Sequence, residues 1–356
     1  MPNNHKPLNG LRVIDLTTAL SGPFCTMFFG DYGAEVIKIE RPGAGDQVRT
    51  WGPMKDGESG FHACLNRNKY GITLDLKTEE GKEVFRRLLK TADVVCENYK
   101  VGVLEKLGFS YEAMREINPR IIYANITGFG LQGPLAQRPC YDIVAQAMGG
   151  MMDVTGFAGG LPTKVGPAIA DNYTGALLAI GILMALYKRE RTGEGGHVDV
   201  AMVDTMIHIL DHFIIDYTIL GEKHSRSGNN DQSIAPFDSF AAKDGMFVLA
   251  CGTDGMFAKL CGLMERPDLL EDARYATNYD RCCNYAALKP EIERWSTTRT
   301  VDELEEAILA IGIPFGRIQD VEQVVKNPQT TARNMLWDVD QPGMGRITIT
   351  GTPIKI

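Results

Sequence analysis

Short β-rich runs alternate with helical patterns through the first 130 residues, and that alternation limits the fold more than any single motif does. Residues 11–16, 35–40, 71–76, 93–98 and 120–126 each read as a strand. Between the third and fourth lies a helical stretch, 78–89, with acids in its first turn and bases in its last, as a helix dipole favours. Strand, helix, strand at these spacings predicts βαβ units, hence an α/β chain built on a Rossmann-like, mostly parallel sheet. Ligands of such sheets bind beyond the carboxyl ends of the strands, so the loops after those strands are where chemistry is expected.

Further along, an apolar helix is expected over 141–153, ending at a glycine-rich loop, 156–166. A long helix should follow over 171–191, closed by Gly193 as a C-terminal cap. Residues 197–201 read as another strand and 202–220 as another helix. The composition turns polar over 221–233, and 240–251 alternate as a strand hairpin turning at Lys243-Asp244-Gly245. The expected division is a large domain over 1–220, with 320–356 returning to it, and a smaller α+β domain over 221–319.

With 356 residues the chain has room for two domains. Its net charge of −8 gives no footprint for nucleic acid or an anionic membrane, although a local cluster of cations could still hold an anion. The longest apolar stretch, 176–187, is too short to span a bilayer. The opening Met-Pro-Asn-Asn-His-Lys lacks the apolar segment of a signal peptide. Eight cysteines without a CxxC pair point to a reducing cytoplasm rather than to a disulfide framework or a zinc site. No metal, nucleic acid or membrane partner is expected.

The loop after the first strand, Thr17-Thr-Ala-Leu-Ser-Gly22-Pro23, lacks GxGxxG, and no Walker A sequence occurs. Arg41, Lys69, Lys100 and Lys106 flank strand ends. Each fits ordinary surface charge; gathered at one sheet edge, they would instead bind a phosphorylated cofactor by charge-assisted hydrogen bonds. Asp171 follows a Gly/Pro segment at a helix start. It fits an N-cap accepting a backbone N–H, or a nucleophile kept ionised by backbone amides and the helix dipole. Asp142, after Arg138-Pro139, likewise fits a helix cap or a second functional carboxylate. The His208/His212 pair lacks the HExxH pattern and reads as structural, and no Gly-x-Ser-x-Gly elbow occurs.

Together these pieces resemble the class III CoA-transferase family, the group of formyl-CoA and carnitine-type CoA-transferases and α-methylacyl-CoA racemases. The resemblance rests on Leu8-x-Gly-x-Arg-Val-Ile-Asp15, Gly33-Ala-Glu-Val-Ile-Lys-Ile-Glu40-Arg41-Pro-Gly43, Asn68-Lys69 and Leu74-Asp-Leu-Lys-Thr78-x-x-Gly81. It continues through Glu97-Asn98, Gly128-Phe-Gly130, Arg138-Pro-x-Tyr-Asp142, Asp171-x-x-x-Gly175, Thr192-Gly-x-Gly195 and Gly312-Ile-Pro314.

The resemblance implies an interlocked homodimer with no permanently bound cofactor, acting on coenzyme A thioesters (acyl-CoA) and a free carboxylic acid. It implies that the Asp171 carboxylate attacks the thioester to give a mixed anhydride, that CoA thiolate converts this to an aspartyl-CoA thioester, and that the acceptor reverses the sequence. Arg41, Lys69, Asn98 and Lys106 would line the CoA site, with Ala19 and Leu20 near the thioester and Asp142 near the reacting carboxylate. Backbone N–H groups near Gly149-Gly150 or the start of the Asp171 helix would steady an oxyanion. Racemases of the family carry His where this chain has Tyr141, whose phenol is a poor proton acceptor at neutral pH; transfer is therefore expected over racemisation or epimerisation. Formyl-CoA transferases carry Gln where Leu20 stands, so a more apolar acyl pocket is expected. The family pattern also continues past Ile356, and the reading from a different class is a catalytically inactive CoA-binding homologue.

Overall fold

A computed structural model describes residues 6–356; the opening residues considered above lie, up to His5, outside the described residues. One compact unit contains the chain up to Met152, then Lys164–Lys223 and Gln329–Ile356. It begins β1 (Arg12–Asp15), α1 (Ser21–Asp31), β2 (Glu35–Glu40), a short hairpin of β3 (Met54–Lys55) and β4 (Glu58–Ser59), α2 (Gly60–Leu65) and β5 (Lys69–Thr73). There follow α3 (Glu79–Leu89), β6 (Val94–Glu97), α4 (Val103–Lys106), α5 (Tyr111–Ile117) and β7 (Ile122–Thr127). The chain goes on through α6 (Asp142–Met148), α7 (Met151–Val154), α8 (Ile169–Thr192), β8 (Gly196–Ala201), α9 (Met202–Ile209) and α10 (Asp211–Leu220).

Six strands form one sheet in the order β5-β2-β1-β6-β7-β8, with every pairing parallel. The chain builds outward from β1 to one edge and then returns at β6 to build the other. β1 and β6 therefore flank the topological switch point, where the loops after both strands open into one crevice. The interior strands β6 and β7 are buried throughout, as a parallel sheet covered on both faces requires. The pleat sends alternate side chains to opposite faces. Val13, Val36, Val94 and Ile122 pack with Leu178 and Ile182 of α8 on one side, and Ile14 and Val95 pack with Phe85, Leu89 and Met114 on the other.

The local chemistry explains the element ends. Thr78 Oγ1 caps α3 by accepting the Gly81 N–H at 3.0 Å. The apolar stretch 141–153 is two helices rather than one, because Gly150 adopts φ +87° between them. Gly149 is demanded by packing: a Cβ there would stand 2.3 Å from Cβ of Met206 on α9. α8 is 24 residues long and, unlike the shorter stretch singled out in the sequence, is long and apolar enough to cross a membrane on length and composition alone. Here it packs on α1 and the sheet. Gly175 permits that contact, since a Cβ would stand 2.4 Å from the Ser21 carbonyl oxygen. The close approach brings Asp171, one turn earlier, to the loop that precedes α1.

The second unit comprises Asp153–Thr163 and His224–Pro328. β9 (Phe237–Ala241), β10 (Met246–Ala250) and β11 (Phe315–Arg317) form an antiparallel sheet in the order β11-β10-β9. Its core gathers Phe240, Phe247, Leu260, Leu288, Ile292 and Leu304. The segment Asp153–Thr163, which the sequence-based division leaves in the large domain, groups with this unit, and Arg226 bonds the Asp153 carbonyl at 2.8 Å and its carboxylate at 3.0 Å. A last hairpin, β12 (Leu336–Gln341) and β13 (Gly345–Thr350), belongs to the first unit.

Candidate active site

The loop between β1 and α1 is fastened residue by residue. Thr17 N–H donates to Asp15 Oδ1 (2.9 Å), Thr18 N–H to Asn98 Oδ1 (2.8 Å) and Ala19 N–H to Asp46 Oδ1 (3.0 Å). Asn98 Nδ2 donates back to the Thr18 carbonyl (2.8 Å), and Lys38 Nζ donates to that of Thr17 (2.8 Å). These bonds hold Ala19 at φ +64°, a conformation that L residues with side chains rarely adopt.

Beneath the loop lie two buried ion pairs, Lys38–Asp46 at 2.9 Å and Lys69–Asp15 at 3.0 Å. Lys69 is therefore not placed as a CoA ligand. β5 starts two residues earlier than its sequence suggested, so Lys69 lies within a strand, and its Nζ donates to Asp15 Oδ2 and also to Pro23 O (3.1 Å), Thr26 Oγ1 (2.8 Å) and Asn66 Oδ1 (3.0 Å). With its ammonium enclosed by acceptors it has no donor to offer a phosphate. Burial pushes it down to about 8 against the pull of Asp15. Burial alone would raise Asp15, but Lys69 and Lys38 and the Thr17 and Thr26 hydroxyls hold it well below the usual carboxylate range.

A pocket opens over the switch point, with Thr18, Ala19, Tyr99, Arg138, Tyr141 and Asp171 in its wall. Of the two loop residues expected there, Ala19 reaches the pocket, whereas Leu20 turns inward against Val48 and Leu65. Asn98 lines the pocket but commits its amide in both directions to Thr18. Lys106 ends α4, exposed and outside the pocket wall.

Asp171 lies in the first turn of α8 and is not its N-cap; that position is Ala168, which offers no side-chain bond. The cap comes from α6 instead. Asp142 Oδ1 accepts the Ala170 N–H at 2.8 Å, its Oδ2 accepts Gln146 Nε2 at 2.7 Å, and Gln146 Oε1 accepts the Val165 N–H at 2.9 Å. Asp142 thus caps the helix that carries Asp171 rather than its own.

The electrostatics of Asp171 run against the sequence reading. Burial first, and then the charge of Asp142, push its carboxyl up to about 7, while a hydrogen bond from Ser21 opposes them. Desolvation and a like charge outweigh the helix terminus, and the group is partly protonated near neutral pH. Cys140, beside the two acids, is pushed up to about 11 by burial and then by Asp171 and Asp142, so it stands as a thiol. The N–H groups of Gly149 and Gly150 already bond the Ala145 and Ala147 carbonyls, at 2.8 and 3.5 Å, and neither residue lines the pocket.

The pocket continues as a trough. It shares Thr18, Gln47 and Tyr99 with a second depression, which shares Glu40, Arg41 and Gly45 with a third. Arg41 is exposed there, its Nε bonding only the Gly45 carbonyl at 3.3 Å, whereas the neighbouring Arg49 is committed to Glu40 at 2.6 and 2.8 Å. Tyr99 and Arg138 were not singled out as site residues in the sequence, and Lys100 figured only among the strand-end cations. The available signal was positional, since Tyr99 and Lys100 lie two and three residues after β6 at the switch point.

The model of CoA-transferase family III matches residues 8–356, and the chain belongs to that family. The acetyl-CoA:oxalate CoA-transferase of Acetobacter aceti is 43% identical over 98% of this chain and 89% of its own length. The succinyl-CoA:mesaconate CoA-transferase of Haloarcula hispanica is 43% identical over 98% of this chain and 90% of its own. A crystal structure of a CAIB/BAIF family protein from Brucella suis is similar with a TM-score of 0.86 and 42% identity, covering 99% of this chain and 93% of that one. The protein is an enzyme of the CoA-transferase class.

Proposed function

We propose that the enzyme moves CoA from an acyl-CoA to a dicarboxylic acid by way of covalent intermediates on Asp171. The observation that carries this is a desolvated carboxyl, held near neutrality, in the wall of the pocket at the sheet's switch point. An Asp171 carboxylate oxygen attacks the thioester carbonyl; the C–S bond breaks and CoA thiolate leaves, giving a mixed anhydride. The thiolate attacks the aspartyl carbonyl and expels the donor acid. The acceptor carboxylate then attacks the aspartyl thioester, freeing the thiolate, which takes the acceptor acyl group and releases the Asp171 carboxylate. A carboxylate of raised basicity and thin solvation is the better nucleophile for the first step.

CoA would lie along the trough with its phosphates toward Arg41, the cation of the two outer depressions that no carboxylate occupies among the described residues. A dicarboxylic acceptor is supported in two ways. The two relatives carry oxalate and mesaconate, both dicarboxylates, in their names. Arg138 and Lys100 line the Asp171 pocket, and their side chains make no ion pair or hydrogen bond among the described residues, so they are available to offset added negative charge. Transfer is favoured over racemisation because Tyr141 stands in the wall and no histidine lines this pocket among the described residues. We place a homodimer interface on the apolar residues left exposed on α8 and α10, among them Leu183, Met184, Tyr187, Ile215 and Ile219. We assign the enzyme to the cytoplasm, in keeping with eight free cysteines.

Borohydride added during turnover of a donor acyl-CoA, followed by peptide mass spectrometry, should find the reduced side chain at Asp171. A label at another residue, or full activity in Asp171→Asn, overturns the mechanism.

A further inference from the structure

We propose that Glu97, at the carboxyl end of β6, is a positioning residue that fixes both walls of the switch-point crevice for acyl-CoA. This rests on the reading of the trough as the CoA site. Glu97 is 5% exposed. Its Oε2 accepts the Tyr99 N–H at 2.5 Å, and its Oε1 accepts the Tyr123 hydroxyl at 2.7 Å.

The bond to Tyr99 closes a turn two residues long directly after the strand, and the residues it fixes are those the site uses. Asn98 clasps the Thr18 backbone in both directions at 2.8 Å, so the order imposed on the β6 loop passes to the β1 loop. Tyr99, Lys100 and Val101 line the Asp171 pocket, and Tyr99 also lines the depression that leads to Arg41. Glu97 itself lines neither.

The electrostatic setting shows that the carboxyl is not there to close an ion pair. Burial first, with the nearby charges of Glu105 of α4 and Asp199 of β8, pushes Glu97 up to about 7 against the bonds from Tyr123 and Tyr99. His197 of β8 is engaged elsewhere, with Nε2 on Asn125 Oδ1 at 2.6 Å. A buried acid without a cation is costly unless its acceptors are used. Here both oxygens are used, and what they secure is the crevice.

The test compares Glu97→Ala, Glu97→Gln and Tyr123→Phe with wild type. It measures kcat, KM for acyl-CoA and for the acceptor, and CoA binding by calorimetry in the full chain. Glu97→Ala should weaken CoA binding and raise KM for acyl-CoA by about tenfold, the effect of losing one hydrogen bond to a charged group. KM for the acceptor, which Lys100 of the same loop faces, should rise by less than that for acyl-CoA, and kcat should stay within about twofold. Glu97→Gln, whose amide oxygen still accepts the Tyr99 N–H, should recover most of the affinity, and Tyr123→Phe should fall between. If Glu97→Ala does not fold, the Gln and Phe variants decide by the same split. A loss confined to kcat, a Gln variant no better than Ala, or wild type that binds no CoA overturns the proposal. If borohydride fails to label Asp171 while the binding pattern holds, the covalent mechanism fails and the role of Glu97 stands.

Discussion

Replacing Asp171 by Asn should stabilise the protein, by an amount that depends on pH. The fold raises this carboxyl from 3.8 to about 7, by burial first and then by Asp142. The native state therefore keeps a proton that the unfolded chain has released. Between those two values stability falls as pH rises, by up to about 1.4 kcal/mol per unit. Below the lower value the penalty is absent, and above the upper one it is complete. Integrated over that window, the penalty reaches about 4 kcal/mol at pH 8 and about 2 kcal/mol at pH 5 as upper bounds. Asn cannot ionise, and its Oδ1 can still accept from Ser21. Asp171→Asn should thus exceed wild type by about 2–4 kcal/mol at pH 8 and by less than half as much at pH 5. Urea unfolding at the two pH values, with m compared between variants, measures both gains. Equal or lower stability at pH 8, or a gain that does not shrink at pH 5, refutes the assignment of a desolvated carboxyl.

Asp142→Asn keeps an acceptor for the Ala170 N–H but removes a charge, so the acid limb of the pH–kcat/KM profile should move to lower pH; Asp142→Ala, which also frees that N–H, should move it further. An unmoved or upward-moving limb would dissociate the two acids. Lys69→Met leaves Asp15 with Lys38 as its remaining cation and should cost about 3–5 kcal/mol in denaturant unfolding, as removing one partner of a buried pair does. Unchanged stability with a raised KM for acyl-CoA would instead return Lys69 to the ligand site. Arg138→Gln should raise KM for dicarboxylic acceptors by about tenfold, the worth of a charge-assisted bond, and leave KM for monocarboxylic acids and acyl-CoA unchanged; equal losses on both acid classes would remove Arg138 from acceptor recognition.

The sheet was legible because its signals are local. Short apolar runs with turn residues between them fix strand positions to within about three residues: β2 falls on residues 35–40 as read, whereas β5 starts two residues and ends three residues before the expected 71–76 does. Asp171 was legible as a helix-start carboxylate after a Gly/Pro segment. What did not show was direction and partnership. Lys69 as a residue type suits phosphate, and only the pairing of β5 with β2, Lys69 opposite Val36, shows it pointing into Asp15. Asp142 was legible as a capping residue, but the helix it caps starts well beyond its own, and no local pattern encodes that. Gly149-Gly150 looked like spare N–H donors, yet the close approach of Met206, distant in sequence, makes the first a packing glycine.

The same long-range cap decides which force governs the Asp171 carboxyl. A carboxylate in a helix first turn gains about 0.3–1 kcal/mol from the terminus when exposed, and up to about 2 when partly buried. The upward displacement of Asp171 corresponds to about 4 kcal/mol in the other direction. One donor of that terminus is also taken, since the Ala170 N–H is bound by Asp142 Oδ1. Asp142 therefore acts twice, by its charge and by occupying a donor. Gln146 secures the arrangement by holding the second oxygen of Asp142 and the Val165 N–H together. A helix start that would quieten a carboxylate is converted into one that leaves it basic and under-solvated, which suits the attack on a thioester proposed for it.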